Sequence, residues 1–137
     1  MLLMEVATLA ELRPEQDVPP AIDERTLDYS VRAVRLYRAL QSTRDPAAWE
    51  IGKQYLRAAM SIGANVAEAQ GAESGRDFVH KLGIALKEAK ESGYWLQLLD
   101  RTDILSSERL ADIEQETSEI QAVLAAIIVK VKKRQGR

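Results

Sequence analysis

The chain contains no cysteine and one histidine, His80. The first absence removes disulfides and thiolate metal sites, and it fits a reducing compartment. The second leaves little for a nucleophilic triad and no E-x-x-H pair for a di-metal carboxylate centre. Aromatic residues make up 5%, and there are only four prolines and seven glycines, so sheets are not expected. No apolar run approaches the roughly 20 residues of a membrane span, and no basic segment accompanies the opening M-L-L-M. The expectation is a cytoplasmic protein with no signal peptide and no membrane partner. Formal charge is −2, so bulk electrostatics alone would not recruit nucleic acid.

What the chain does have is 137 residues, 46% of them hydrophobic and 29% charged, enough for one domain with a real core. The stretch Tyr55 to Gly71 is alanine-rich and free of proline. At 100° per residue, Ile51, Tyr55, Ala59, Ile62 and Val66 form one line, and Leu56, Met60 and Ala67 the next. Ser61, Asn65 and Glu68 occupy the remaining side. A helix apolar on most of its circumference must lie within an assembly of helices.

Residues 1–22 read as an acidic arm. Leu2, Leu3, Val6, Leu9 and Leu12 suit a short amphipathic turn, and Pro19-Pro20 an extended link. Its leucines either trail as a tail or dock on a neighbouring subunit. Residues 23–137 read as the helical domain. A first helix is predicted from about Asp23 to Ser42, with Tyr29, Ala33, Leu36 and Leu40 on one side and Leu27, Val31 and Val34 nearly opposite. Two opposed stripes imply a core face and an interface face.

Asp45-Pro46 opens a second helix reaching about Gly71, the expected stop. Gly52 and Gly63 in its interior suit a close helix crossing. Ser74 to Asp77 resembles a capping box for a third helix. There, Phe78, Leu82, Ala85, Ala89, Ser92, Leu96 and Leu99 alternate four and three, as in a coiled-coil-like seam. A second line, His80, Ile84, Lys87, Glu91, Trp95 and Leu98, has the mixture of an association surface. Ser106 or Ser107 caps a fourth helix with Leu110, Ile113, Thr117, Ile120, Leu124, Ile127 and Val131 inward. Its acidic start and basic end complement the helix dipole.

Four long helices with short links predict an all-α, up-down-up-down antiparallel four-helix bundle. The surplus of apolar surface on the first three predicts a homo-oligomer, with Leu27, Val31, Val34, Ile84 and Trp95 at the interface.

No chemistry emerges from the residue types. Asp77 and His80 are the nearest approach to a metal pair, and Asp77 is wanted for capping. Glu68, Glu88 and Glu91 could form a carboxylate cluster, but Lys87 and Lys90 flank them as local ion-pair partners. Gly71 and Gly75 are turn residues and no phosphate loop. The expectation is no enzyme, no cofactor and no metal. Ser61, Asn65, Glu68 and Glu91 are candidates for a polar network that sets helix register.

Antiparallel first and last helices would bring Arg25, Arg32 and Arg35 near Lys130, Lys132, Lys133 and Arg134. This is a modest basic patch that a ring would repeat, and phosphate affinity rises with the number of contacts. No aromatic platform is seen among these basic residues, which argues against sequence-specific single-strand recognition.

The segment S-I-G-A-N-V-A-E-A-Q-G from Ser61 to Gly71 resembles the four helix bundle protein family, known also from proteins encoded in intervening sequences of bacterial 23S ribosomal RNA genes. Asp77-Phe78-Val79 and I-A-L-K-E-A-K-E-S-G-Y-W-L from Ile84 to Leu96 continue the resemblance, which spans about residues 25–134. The family pattern S-I-x-x-N-I-A-E-G maps onto Ser61, Ile62, Asn65, Val66, Ala67 and Glu68. Its last glycine is replaced by Ala69.

The resemblance implies a left-handed bundle assembled as a ring, a homopentamer, without established enzymatic activity. It also implies a fold similar to the accessory protein of diversity-generating retroelements, a basic pentameric ring that binds nucleic acid and a reverse transcriptase. The resulting expectation is a scaffold or accessory for RNA, a ribonucleoprotein or a reverse transcriptase. The alternative is a protein-binding module that uses the outer face of the third helix without nucleic acid.

Overall fold

The computed structural model describes residues 20–136. Most of the expected arm, residues 1–19, lies outside the described residues. The fold is all-α, with four helices and no strand among the described residues: α1 (Pro20–Gln41), α2 (Pro46–Ala69), α3 (Gly75–Arg101) and α4 (Ser107–Arg134). α1 packs on α2, α2 on α3 and α3 on α4, while α1 also touches α4.

α1 begins three residues before the expected Asp23. Proline is well placed in a first turn because it has no amide proton to leave orphaned. Pro20, expected in an extended link, is therefore helical, Pro19 lies outside the described residues, and Ile22, assigned to the arm, is buried in the core. Tyr29, Ala33 and Leu40 are buried on the same side. Leu27 and Val31 point away from the core, with 60% and 42% of their surfaces exposed.

Asp45 caps α2 by accepting from the Ala47 amide at 3.0 Å. Gly52, which is buried, and Gly63, which is half-buried, both stand where α1 runs close by. A Cβ on Gly52 would lie 3.2 Å from Leu40 Cδ1, and one on Gly63 would lie 3.2 Å from the Thr26 carbonyl oxygen. α1 accommodates this approach by turning its hydroxyls onto its own backbone. Thr26 Oγ1 donates to the Ile22 carbonyl at 2.8 Å, and Ser30 Oγ to the Thr26 carbonyl at 3.1 Å.

α2 ends differently from expectation. Its cap is Gln70, and Gly71 does not adopt the left-handed conformation of a glycine stop. The chain instead tightens into three-residue turns, Gly71 N to Glu68 O at 3.0 Å and Ala72 N to Ala69 O at 3.1 Å. Ser74 caps α3 through the Asp77 amide at 3.0 Å. Asp77 accepts from the Glu73 amide at 3.4 Å, one residue past the Ser74 amide of a reciprocal capping box.

α3 ends in a Schellman turn: Ile104 N donates to Leu99 O and Asp103 N to Asp100 O, both at 3.1 Å. Asp103 supplies the left-handed residue with φ 58°. Ser106 then caps α4. All seven predicted seam residues of α3 and all seven of α4 are buried. Each large aliphatic side chain so enclosed contributes about 1.5–3 kcal/mol.

Candidate functional site

The seven basic residues proposed for nucleic-acid contact do not form one patch. Arg25 Nε donates to Glu116 Oε2 at 2.7 Å, and its Nη2 to Glu116 Oε1 at 2.7 Å and to Glu119 Oε1 at 2.6 Å. These bonds to Glu116, then Glu119, raise the guanidinium pKa further above its ordinary value. The expectation that Arg25 meets the basic end of α4 is thereby corrected. Its partners lie near the middle of that helix, and Lys132 is thirteen residues beyond Glu119, about 20 Å along the axis.

Arg32 is half-buried and its charge acts on the tyrosine pair Tyr29 and Tyr55, whereas Arg35 is exposed. Lys130, Lys132, Lys133 and Arg134 are exposed at the end of α4. Gln135, the cap that follows, lies against the start of α3, where a Cβ on Gly75 would fall 1.8 Å from its Nε2.

The polar residues Ser61, Asn65, Glu68 and Glu91 form three separate groups where one network was expected. Asn65 Nδ2 donates to the Ser61 carbonyl at 2.8 Å and to Ser61 Oγ at 3.1 Å, within one helix. Glu68 accepts from Lys81 Nζ at 2.9 Å, which holds the Lys81 pKa up. Glu91 Oε2 accepts from Trp95 Nε1 at 2.9 Å and also from Arg57 Nη2 of α2. The indole donor, then Arg57, lowers the Glu91 pKa.

Arg57 Nη1 also stands 3.5 Å from Glu88 Oε1, a buried oxygen with no hydrogen bond. Glu68 and Glu91 are held apart because each finds its own cation across the α2–α3 contact.

Among the interface candidates, Leu27 and Val31 are exposed, and Val34, Ile84 and Trp95 are half-buried. Trp95 packs against the core. Met60, 44% exposed, joins Leu27 and the backbone of Gly63 around an apolar groove of about 530 Å³ between α1 and α2.

Two features were missed in the sequence. The first is a row of buried hydroxyls. Thr117 Oγ1 donates to the Ile113 carbonyl at 2.6 Å, so its contact with Tyr29 OH at 2.6 Å must be donated by Tyr29. Tyr55 OH in turn donates to Tyr29 OH at 3.0 Å. Three helices are thus joined by hydrogen bonds running one way, and burial pushes both phenol pKa values up. Pattern reading had placed these residues in the core as packing alone.

The second is on α3. Lys87, Lys90, Tyr94, Gln97 and Arg101 follow at spacings of three, four, three and four, and all five are exposed. The aromatic platform judged absent among the basic residues of α1 and α4 is present here. The same period that revealed the core seam would have revealed it. Tyr94, 60% exposed, meets Trp95 edge-to-face at 5.0 Å and 79°.

Beside it, Lys90, Gly93, Gln97, Glu114, Thr117, Ser118 and Gln121 surround a polar depression of about 350 Å³. Burial, then the neighbouring Asp100, raises the Glu114 pKa. Among the described residues no His, Cys, Asp and Glu group is arranged to hold a metal ion, and no helix is long and apolar enough to cross a membrane.

These features define an all-α four-helix protein with charged and apolar outer faces. The family profile for the 23S rRNA-intervening sequence protein matches residues 25–126, and the chain belongs to that family. It is similar to a solved protein of unknown function from the S23 ribosomal protein family of Bacteroides thetaiotaomicron VPI-5482. The two share 41% identity over 80% of this chain and 96% of the other, with a TM-score of 0.74. No curated protein matches.

Proposed function

We propose that this chain is a non-enzymatic, ring-forming four-helix bundle that serves as a scaffold or accessory protein for RNA, a ribonucleoprotein or a reverse transcriptase. The helices run up-down-up-down, a reading supported by the end of α4 lying against the start of α3, and the left-handed twist follows from the family resemblance. The observation that carries the assembly is the apolar face of α1 and α2. Leu27, Val31 and Met60 stay open to solvent beside a groove that a second copy can fill.

Five copies are favoured by the family resemblance. The exposed cations at the end of α4 would then recur around the ring and multiply phosphate contacts. Partner capture through Trp95 is less favoured, because its indole N–H is already held by Glu91.

Sedimentation equilibrium should give one species of five-chain mass, and Leu27→Glu with Val31→Glu should release single chains. A monomer at high concentration overturns the ring. A low-salt titration with structured RNA should give saturable binding, and a flat signal at micromolar protein overturns the RNA role.

A further inference from the structure

The face made by Lys87, Lys90, Tyr94, Gln97 and Arg101 extends for about 21 Å of α3, long enough to follow a few nucleotides. None of its three cations enters an ion pair among the described residues. The nearby acids of α3 are differently placed. Glu88 and Glu91 both face Arg57, and Glu91 also holds the indole of Trp95. That indole and the Tyr94 ring meet edge-to-face, so the chain Arg57–Glu91–Trp95 positions an exposed phenol ring on the cationic stripe.

An exposed ring with lysines on one side and an arginine on the other is the arrangement on which unpaired bases stack while phosphates meet the cations. Gly93, one residue before the platform, keeps the adjoining depression open. A Cβ there would already touch Gln121 Nε2 at 3.5 Å and Thr117 Cγ2 at 3.8 Å. The rim offers the Gln97 amide, the Ser118 hydroxyl, the Glu114 carboxyl and the Gln121 amide, whose Nε2 gives one of its two protons to the Ala89 carbonyl at 3.3 Å. A carboxylate repels phosphate but accepts well from a base edge with two adjacent N–H donors, which among the four RNA bases is guanine.

We propose that this face binds single-stranded RNA, with an unpaired guanine stacked on Tyr94 and its Watson–Crick edge turned to Glu114 in the depression beside Gly93. This rests on the RNA reading above and names the form of RNA that this site takes. Lys87, Lys90 and Arg101 hold the flanking phosphates, and Gln97 and Gln121 serve the remaining polar atoms of the base.

Fluorescence anisotropy at low salt with a short alternating guanosine–uridine RNA and an oligouridine of equal length tests the site. The guanosine-containing strand should bind more tightly. Tyr94→Ala should weaken it about tenfold, Tyr94→Trp should retain binding, and Glu114→Gln should erase the preference over oligouridine. Tyr94 is exposed, and an unchanged thermal midpoint will show that the variants fold.

Unchanged binding by Tyr94→Ala, with loss on Lys132→Glu and Lys133→Glu together, overturns this site and leaves the broader RNA role standing. Equal affinity for the two strands overturns the guanine assignment. Failure of the wild type to bind either strand or a structured RNA overturns both readings.

Discussion

The hydroxyl of Tyr55 on α2 donates to the hydroxyl of Tyr29 on α1 at 3.0 Å, in a core from which both side chains are excluded from water. Because Tyr29 passes its own proton to Thr117, it is the middle of the row and Tyr55 is its end. The two phenols are therefore not equivalent. Tyr29→Phe strands a buried donor on Tyr55 and should cost ~1–3 kcal/mol, whereas Tyr55→Phe removes only a terminal donor and should cost ~0.5–1.5 kcal/mol. The double variant should lose less than the sum. Urea denaturation of the three variants measures this, and additive losses would show that the hydroxyls act independently.

Two helical glycines should respond in opposite directions. A Cβ on Gly83 meets nothing within 4 Å in the chain, so Gly83→Ala should add ~0.5–1 kcal/mol by helix propensity. Gly63 faces the Thr26 carbonyl at contact distance, and Gly63→Val should cost ~1–3 kcal/mol by forcing α1 away. Thermal midpoints of both variants suffice. A stabilised Gly63→Val would mean that α1 does not run where it is drawn.

Asp103 is the left-handed residue of the α3–α4 turn. Asp103→Gly should stabilise by ~0.5–1 kcal/mol, and Asp103→Val should destabilise by ~1–2 kcal/mol, since a branched Cβ crowds its own backbone at positive φ. Equal midpoints for the two variants would contradict the turn geometry.

Arg57 and Lys81 both bridge α2 and α3 but should differ in weight. Lys81 pairs with an exposed Glu68, where solvent screens the attraction, so Lys81→Ala should leave the thermal midpoint nearly unchanged. Arg57 is the ion-pair partner of a buried Glu88 oxygen that has no hydrogen bond, so Arg57→Ala should cost ~1–3 kcal/mol. Equal losses would place the two bridges on the same footing.

Acid should act through Glu91, whose pKa is lowered by Trp95 and Arg57 from the ordinary 4.5. The folded state holds this proton less well than the unfolded one. Its stabilisation is therefore complete above pH 4.5 and lost as pH falls through the lowered value. Glu91→Gln should flatten that part of the midpoint-versus-pH curve. An unchanged acid slope would assign the loss to other carboxylates, such as Glu119, which Gln115 and Arg25 also hold low.

The core was legible because it depends on a repeating signal. The seams from Phe78 to Leu99 and from Leu110 to Val131 alternate in the period of a packed helix, and that period survives any tertiary context. Gly52 and Gly63 were read correctly as crossing points, since a close neighbour offsets the poor helix propensity of glycine, although Gly83 has no such neighbour. The axial register between α1 and α4 was not legible. Nothing in local spacing says that Arg25 stands beside Glu116 rather than Lys132, because that depends on how the tyrosine row aligns the helices. The stripe around Tyr94 was missed for a different reason: the search for basic residues followed charge density to the chain end and passed over a sparser, periodic set.

Gln135 lies over the first turn of α3, where a Cβ at position 75 would fall 1.8 Å from its Nε2. A methyl group at position 75 would therefore displace this side chain, a movement open to the flexible end of a glutamine. Gly75→Ala should then loosen the tie between the end of α4 and the start of α3 without unfolding the bundle.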